Sequence, residues 1–316
     1  MATGMKKPTV ISTFAGCGGS SLGYKLAGFE ELLAVEWDQN AVDTFRLNFP
    51  EVPVYHGDIA KLTGAECMKL AGIGPGELDV FDGSPPCQGF STAGKRKFDD
   101  PRNSLFKEFA RLLKELQPRC FIMENVTGMI KGCMKQAYLT IIAELRACGY
   151  VCKGEVLNAM YYNVPQSRER VIIIGVRKDL GIEPSHPKPQ TKAITVRKAF
   201  HGIDGRGDAP DLTPLYCDYW RKAGQGGTVG KQQCVTRLRM DSVCPTLQRV
   251  EGNGAPYHPT ECRAISTLER KRIASFPDSF QFTDRASATE RIGNSVPPNL
   301  MRAIADHIKA NILLLS

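Results

Sequence analysis

Residues 9–23 read TVISTFAGCGGSSLG. The run Thr9–Phe14 is rich in β-branched and apolar residues, as a buried strand requires. Glycines at 16, 18 and 19 follow at once, and they let a turn approach a ligand closely. An amphipathic stretch near Ser21–Leu26 then suits a helix. Strand, glycine turn and helix in this order open a parallel α/β sheet. The pattern recurs. Candidate strands are Leu32–Glu36, Leu78–Asp82, Cys120–Met123 and Val171–Val176, and candidate helices are Gln39–Asn48, Ser104–Leu116 and Gln136–Cys148. The expectation is a parallel sheet covered on both faces, with ligands beyond the carboxyl ends of its strands.

The glycine turn alone is equally compatible with a structural tight turn. The second strand adds to it by ending in VEWD, residues 35–38, which puts Glu36 twenty positions after Gly16. Nucleotide-binding sheets place a ribose-binding acid at about this distance. Trp37 could stack on adenine, or pack in the core. Asp58, in Gly57-Asp58-Ile59 at the end of a third strand, could accept from the adenine amino group, or cap a helix. FAGCGG followed by Ser20 departs from GxGxxG. That disfavours a pyrophosphate cofactor and makes S-adenosylmethionine the obvious candidate.

GSPPCQGFS, residues 83–91, follows the strand ending at Asp82. Two prolines and flanking glycines make a stiff loop, and Cys87 on it is placed as a nucleophile. MENV, residues 123–126, sets Glu124 at a neighbouring strand end. In PQSRER, residues 165–170, extended backbone would put Arg168 and Arg170 on one side.

The 316 residues are 42% hydrophobic, with formal net charge +8, which permits a polyanionic partner without demanding one. No apolar run could span a bilayer and no signal peptide is present, so a cytoplasmic protein is expected. The 11 cysteines include no CxxC pair, which predicts reduced thiols and no metal site. From about Ile182 to Thr260 the chain is rich in Pro, Gly and basic residues, as in a small irregular second domain with short strands. Helical patterning returns at Thr267–Ser275 and, after GNSVPPNL, continues to Ile308.

FAGCGGSSLG, VEWD, GDI, GSPPCQGFS, MENV, PQSRER and GNSVPP occur in the order and rough spacing of the cytosine-C5 DNA methyltransferases, and the sequence resembles that family over nearly all of the chain except about residues 182–260. The resemblance implies a Rossmann-like S-adenosylmethionine-dependent catalytic domain over 1–185. It further implies a target-recognition domain over 186–265, a hinge over 266–290 and a C-terminal segment, 291–316, completing the catalytic domain. Cys87, Glu124, Arg168 and Arg170 would be catalytic. Phe14, Cys17, Gly18, Glu36, Trp37, Asp58, Ile59, Pro86, Leu105, Asn294 and Val296 would contact the cofactor. Gln88, Ser91, Lys95, Arg96, Arg237, Arg239, Thr246 and Arg249 would meet DNA, and Arg263 with residues 265–280 would organise the second domain. Asn163 departs from the family, where glycine is frequent. The expected partner is double-stranded DNA, bound by a monomer that could act alongside a separate restriction endonuclease. A tRNA cytosine methyltransferase and a non-catalytic DNA-binding regulator are the alternatives. Intact Cys87, Glu124, Arg168 and Arg170 speak against the regulator.

Overall fold

The computed structural model describes residues 6–86, 104–229, 235–251 and 255–315. Its first half alternates strand and helix: β1 (Thr9–Thr13), α1 (Gly19–Leu26), β2 (Glu30–Glu36), α2 (Gln39–Asn48), β3 (Val54–His56), α3 (Gly64–Ala71), β4 (Val80–Gly83), α4 (Ser104–Leu116), β5 (Cys120–Val126), α5 (Lys135–Ala147), β6 (Tyr150–Asn158) and β7 (Glu169–Arg177). These strands form one seven-stranded sheet in the order β3-β2-β1-β4-β5-β7-β6. The protein is thus an α/β, Rossmann-like chain.

The first five strands are parallel. β7 runs antiparallel to both β5 and β6, which corrects the expectation of an all-parallel sheet. This reversal matters for the site. In a parallel sheet, residues just before a strand lie at the edge away from the ligand cleft. Because β7 is reversed, Arg168 and Arg170 at its start lie at the carboxyl ends of β1, β4 and β5. β6 escapes sequence reading because Lys153, Gly154 and Glu155 interrupt its apolar pattern. It is the outer strand, so one row of its side chains can remain polar.

Side chains alternate across the sheet. Ile11, Phe81, Phe121 and Ile173 face a core shared with α4 and α5, where the Phe81 and Phe109 rings stack at 4.8 Å. Val10, Val80, Ile122, Ile172 and Ile174 face the opposite core. Polar helices would leave that second face wet. It is covered instead by Tyr24 of α1 and by Leu300, Met301, Ile304 and Ile308 of a C-terminal helix.

Between these halves come α6 (Val196–Ala199), α7 (Pro214–Ala223), β8 (Thr228–Val229), β9 (Val235–Arg237), β10 (Pro256–Tyr257), α8 (Thr267–Ile273) and α9 (Arg285–Asn294), and α10 (Pro298–Ile308) is the covering helix. β10-β9-β8 form a three-stranded sheet over a small core of Trp220, Val235, Tyr257 and Ala264. Beside that core Cys217 is bonded to Cys262, with Cα atoms 5.8 Å apart. This pair departs from the expected reduced thiols. A separation of 45 residues gives no local cue to it. α8 starts at a capping box in which Ser266 and Glu269 exchange hydrogen bonds. Arg263 donates to both Glu269 carboxylate oxygens at 2.8 Å, fixing the small sheet to α8. Among the described residues no helix is long and apolar enough to cross a membrane.

Candidate active site

A cleft of about 460 Å³ opens at the carboxyl ends of β1, β2, β4 and β5. At one end Glu36 gathers the backbone. Its Oε2 accepts from Gly16 N at 2.8 Å, and its Oε1 accepts from Trp37 N at 2.8 Å and Asp38 N at 3.0 Å. The glycine turn is thereby tied to the end of β2. Gly18 holds a left-handed φ of 93°, and a Cβ there would strike the Phe49 ring. A Cβ on Gly16 would meet nothing within 4 Å and would project into open space.

Phe14, Cys17, Glu36, Pro86, Asn294 and Val296 all line this cleft. Cys17 Sγ lies 3.2 Å from Ser295 Oγ, and burial pushes the thiol up to about 11, so it stays protonated. Gly18, Trp37, Asp58, Ile59 and Leu105 are not among the lining residues. Trp37 is 76% exposed, which rules out the core-packing reading of its ring. Asp58 Oδ1 accepts from Ala60 N at 3.0 Å and caps the turn Ile59–Lys61, the plainer of its two readings. Ile59 is buried in the α4 core, and Leu105 packs against the same core.

At the other end Arg170 Nε donates to Glu124 Oε1 at 2.9 Å, with both side chains nearly buried. The antiparallel register sets Val126 opposite Arg170, which brings the guanidinium back over Glu124. Arg168 is buried and donates from Nη2 to Gly293 O at 2.9 Å. Its Nε has no hydrogen-bond partner among the described residues. Burial, then the neighbouring Arg170 charge, lowers Arg168 to about 9, against the pull of Glu124, and it remains cationic at neutral pH. Asn125 Nδ2 donates to Pro85 O at 3.0 Å and anchors the proline loop to β5. Sequence reading quoted MENV for its glutamate and missed this asparagine.

Cys87, Gln88, Ser91, Lys95 and Arg96 lie outside the described residues. Pro86, immediately before Cys87 in the sequence, lines the cleft.

The second region is bonded to the stretch just before Arg168 and Arg170. Thr246 Oγ1 donates to Ser167 O at 2.8 Å, Ser167 N to Cys244 O at 2.8 Å, and Leu247 N to Gln166 Oε1 at 3.2 Å. The three candidate DNA-reading arginines separate. Arg237 lies over the Trp220 ring at 3.6 Å and donates to Pro259 O, Arg239 is exposed, and Arg249 lines the cleft. Arg291, which sequence reading passed over in ERIGNSV, also lines the cleft and pairs with Asp38 at 3.1 Å. Asn163 takes φ 57° where glycine is frequent, a left-handed angle that asparagine tolerates best among side-chain-bearing residues.

The fold and the cleft can be set beside known proteins. The family model described as C-5 cytosine-specific DNA methylase matches residues 8–209 and 216–310. The type II methyltransferase M.XorII of Xanthomonas oryzae pv. oryzae is 33% identical, covering 96% of this chain and 85% of the relative. M1.HphI of Haemophilus parahaemolyticus is 35% identical, covering 95% and 86%. A crystal structure from E. coli, assigned as a prophage-encoded DNA modification methyltransferase, superposes with TM-score 0.83 at 27% identity, covering 97% of this chain and all of that one. S. pombe Dnmt2, at 17% identity and TM-score 0.72, shares the fold. A methylase match across both halves, with relatives aligned over 85% and 86% of their length, establishes that this chain belongs to the C5 cytosine-specific DNA methyltransferases and is a DNA (cytosine-5-)-methyltransferase.

Proposed function

We propose that the protein methylates C5 of a flipped-out cytosine within a specific duplex sequence, through a covalent bond between Cys87 and cytosine C6. The observation that carries this reading is the Glu124–Arg170 pair with Arg168 buried beside it, at the end of the strand next to the one leading to Cys87. Cytosine C5 is a poor nucleophile. Addition of the Cys87 thiolate to C6 makes the ring an enamine, nucleophilic at C5. Glu124 would hydrogen-bond N3 and the exocyclic amine as negative charge develops, and the two arginines would hold O2 and the adjoining phosphate. Once C5 carries the methyl group, loss of its proton to solvent re-forms the C5–C6 double bond, breaks the C6–S bond and releases the Cys87 thiolate. The target carbon is inaccessible in a stacked duplex, so the base must leave the helix.

When bound, S-adenosylmethionine supplies the electrophilic methyl group. The cleft residues fit it: Glu36 has acceptor capacity for ribose hydroxyls, Phe14, Pro86 and Val296 give apolar walls, and Gly16 leaves space that any side chain would fill. The small sheet with its own core supports a recognition domain over 186–265, with 1–185 and 291–316 forming the catalytic domain about a 266–290 hinge.

Duplex DNA with 5-fluorocytosine at the target tests the chemistry, because fluorine cannot leave as a proton does. The expected result is a complex that survives denaturation, requires the cofactor and is absent in Cys87→Ser. An active enzyme that methylates the normal site yet never forms this complex would exclude attack at C6.

A further inference from the structure

The cleft contains four arginines, and three have a polar partner within the folded chain. Arg170 is paired with Glu124, Arg291 with Asp38 and Asn40, and Arg168 with the Gly293 carbonyl. Arg249 is exposed in the same cleft and has no ion pair or side-chain hydrogen bond among the described residues. Its main chain is nonetheless fixed. A Cβ on Gly293 would come within 2.4 Å of Arg249 Cα and N, so the backbone at 248–249 is seated directly on Gly293. Gly293 is also the residue whose carbonyl holds Arg168. Thr246 and Leu247, just upstream, are bonded to Ser167 and Gln166. The Arg249 main chain is therefore anchored at the Arg168 end of the cleft.

Resting on the reading of the cleft given above, we propose that Arg249 clamps a phosphodiester flanking the flipped target nucleotide, other than the one the Arg168–Arg170 pair would hold, and does not read a base pair. A guanidinium matches phosphate geometry and stays charged, and a flipped nucleotide brings its own phosphate into the site. A side chain inside the cleft is badly placed for stacked base edges, which are read from the groove. Arg239, exposed and outside the cleft lining, keeps that role open to it.

The test is single-turnover methylation of duplexes carrying one neutral methylphosphonate at each position around the target, with wild type and Arg249→Gln. One methylphosphonate adjacent to the target cytosine should slow wild type roughly tenfold to a hundredfold, as loss of a positioning contact does. The same substitution should add nothing to the slow rate of Arg249→Gln. The variant should keep wild-type preference at every other base pair and wild-type affinity for S-adenosylhomocysteine, and Arg249→Lys should recover part of the rate. Relaxed preference at one base pair would make Arg249 a base reader. Weakened cofactor binding without DNA would move it to the cofactor, and equal, additive effects at all phosphates would remove the clamp; each of these overturns the proposal. A wild type that methylates no duplex cytosine overturns the reading of the cleft instead.

Discussion

At the Glu36 end of the cleft, three backbone amides converge on one carboxylate, and the groups involved lie within a short glycine turn and the end of the next strand. At the Glu124 end, a carboxylate on β5 meets the Arg170 guanidinium from the start of β7, and a segment some eighty residues further on is bonded to the stretch just before it. The first end is rigid because its polar groups are backbone groups, fixed by strand and turn. The second end is held by side chains from elements that only the folded chain brings together. Damage at the Glu36 end should therefore register in cofactor binding, and damage at the Glu124 end in methyl transfer.

The largest effect is expected from Glu124→Gln. It keeps the shape and removes the charge paired with Arg170, so methyl transfer should slow roughly a hundredfold or more, while isothermal titration finds S-adenosylhomocysteine binding unchanged. Loss of cofactor affinity in this variant would mean that the two ends are not separable. Glu36→Ala should do the opposite. It leaves Gly16, Trp37 and Asp38 amides without their acceptor and should weaken cofactor binding by about 1.5–3 kcal/mol, the usual worth of hydrogen bonds to a charged group, with kcat at saturating cofactor little changed. A fall in kcat without a rise in cofactor KM would break the comparison.

The smallest effect concerns the layer beneath both ends. Tyr24 Oη donates to Asp82 Oδ1 at 3.1 Å, and both residues are buried. Burial pushes Asp82 up to about 8 from 3.8, and burial also raises nearby Glu31, which accepts from Ser21, to about 7. The folded state thus holds these protons more tightly than the unfolded chain. Stability should fall as pH rises from about 4 to about 8 and level off above that. Asp82→Asn keeps an acceptor for Tyr24 and cannot ionise. Its Tm should drop by several degrees less than that of wild type between pH 6 and 9, with Glu31 accounting for the residual slope. An identical pH profile for the two proteins would show that Asp82 does not titrate in this range.

How far each end was legible in the sequence follows the same division. Helices Gln39–Asn48 and Ser104–Leu116 are found at the bounds their apolar spacing predicts, because each buries one face against the sheet. The strands of the Glu36 end were legible for a related reason: buried parallel strands are nearly continuous apolar runs. β6 was not, since an outer strand may be half polar. The Cys217–Cys262 bond and the dispersal of Arg237, Arg239 and Arg249 were not either. Nothing in the spacing of these residues reports which of them shares a neighbour.

The sequence by itself determined the chemistry on offer: a cysteine on a proline-stiffened loop, carboxylates at strand ends, a glycine turn before a helix, and the family to which these belong. Local backbone preference and residue type suffice for that. Tertiary structure alone decided that the arginines of PQSRER enter the Glu124 end of the cleft at all, where Arg170 pairs with that carboxylate. They do so because β7 runs against its neighbours, and strand direction is set by packing across the whole sheet. It also decided that Arg249 enters the cleft while Arg237 stacks on Trp220, since a side chain's partner depends on where distant backbone passes and the chain's own order does not encode that distance.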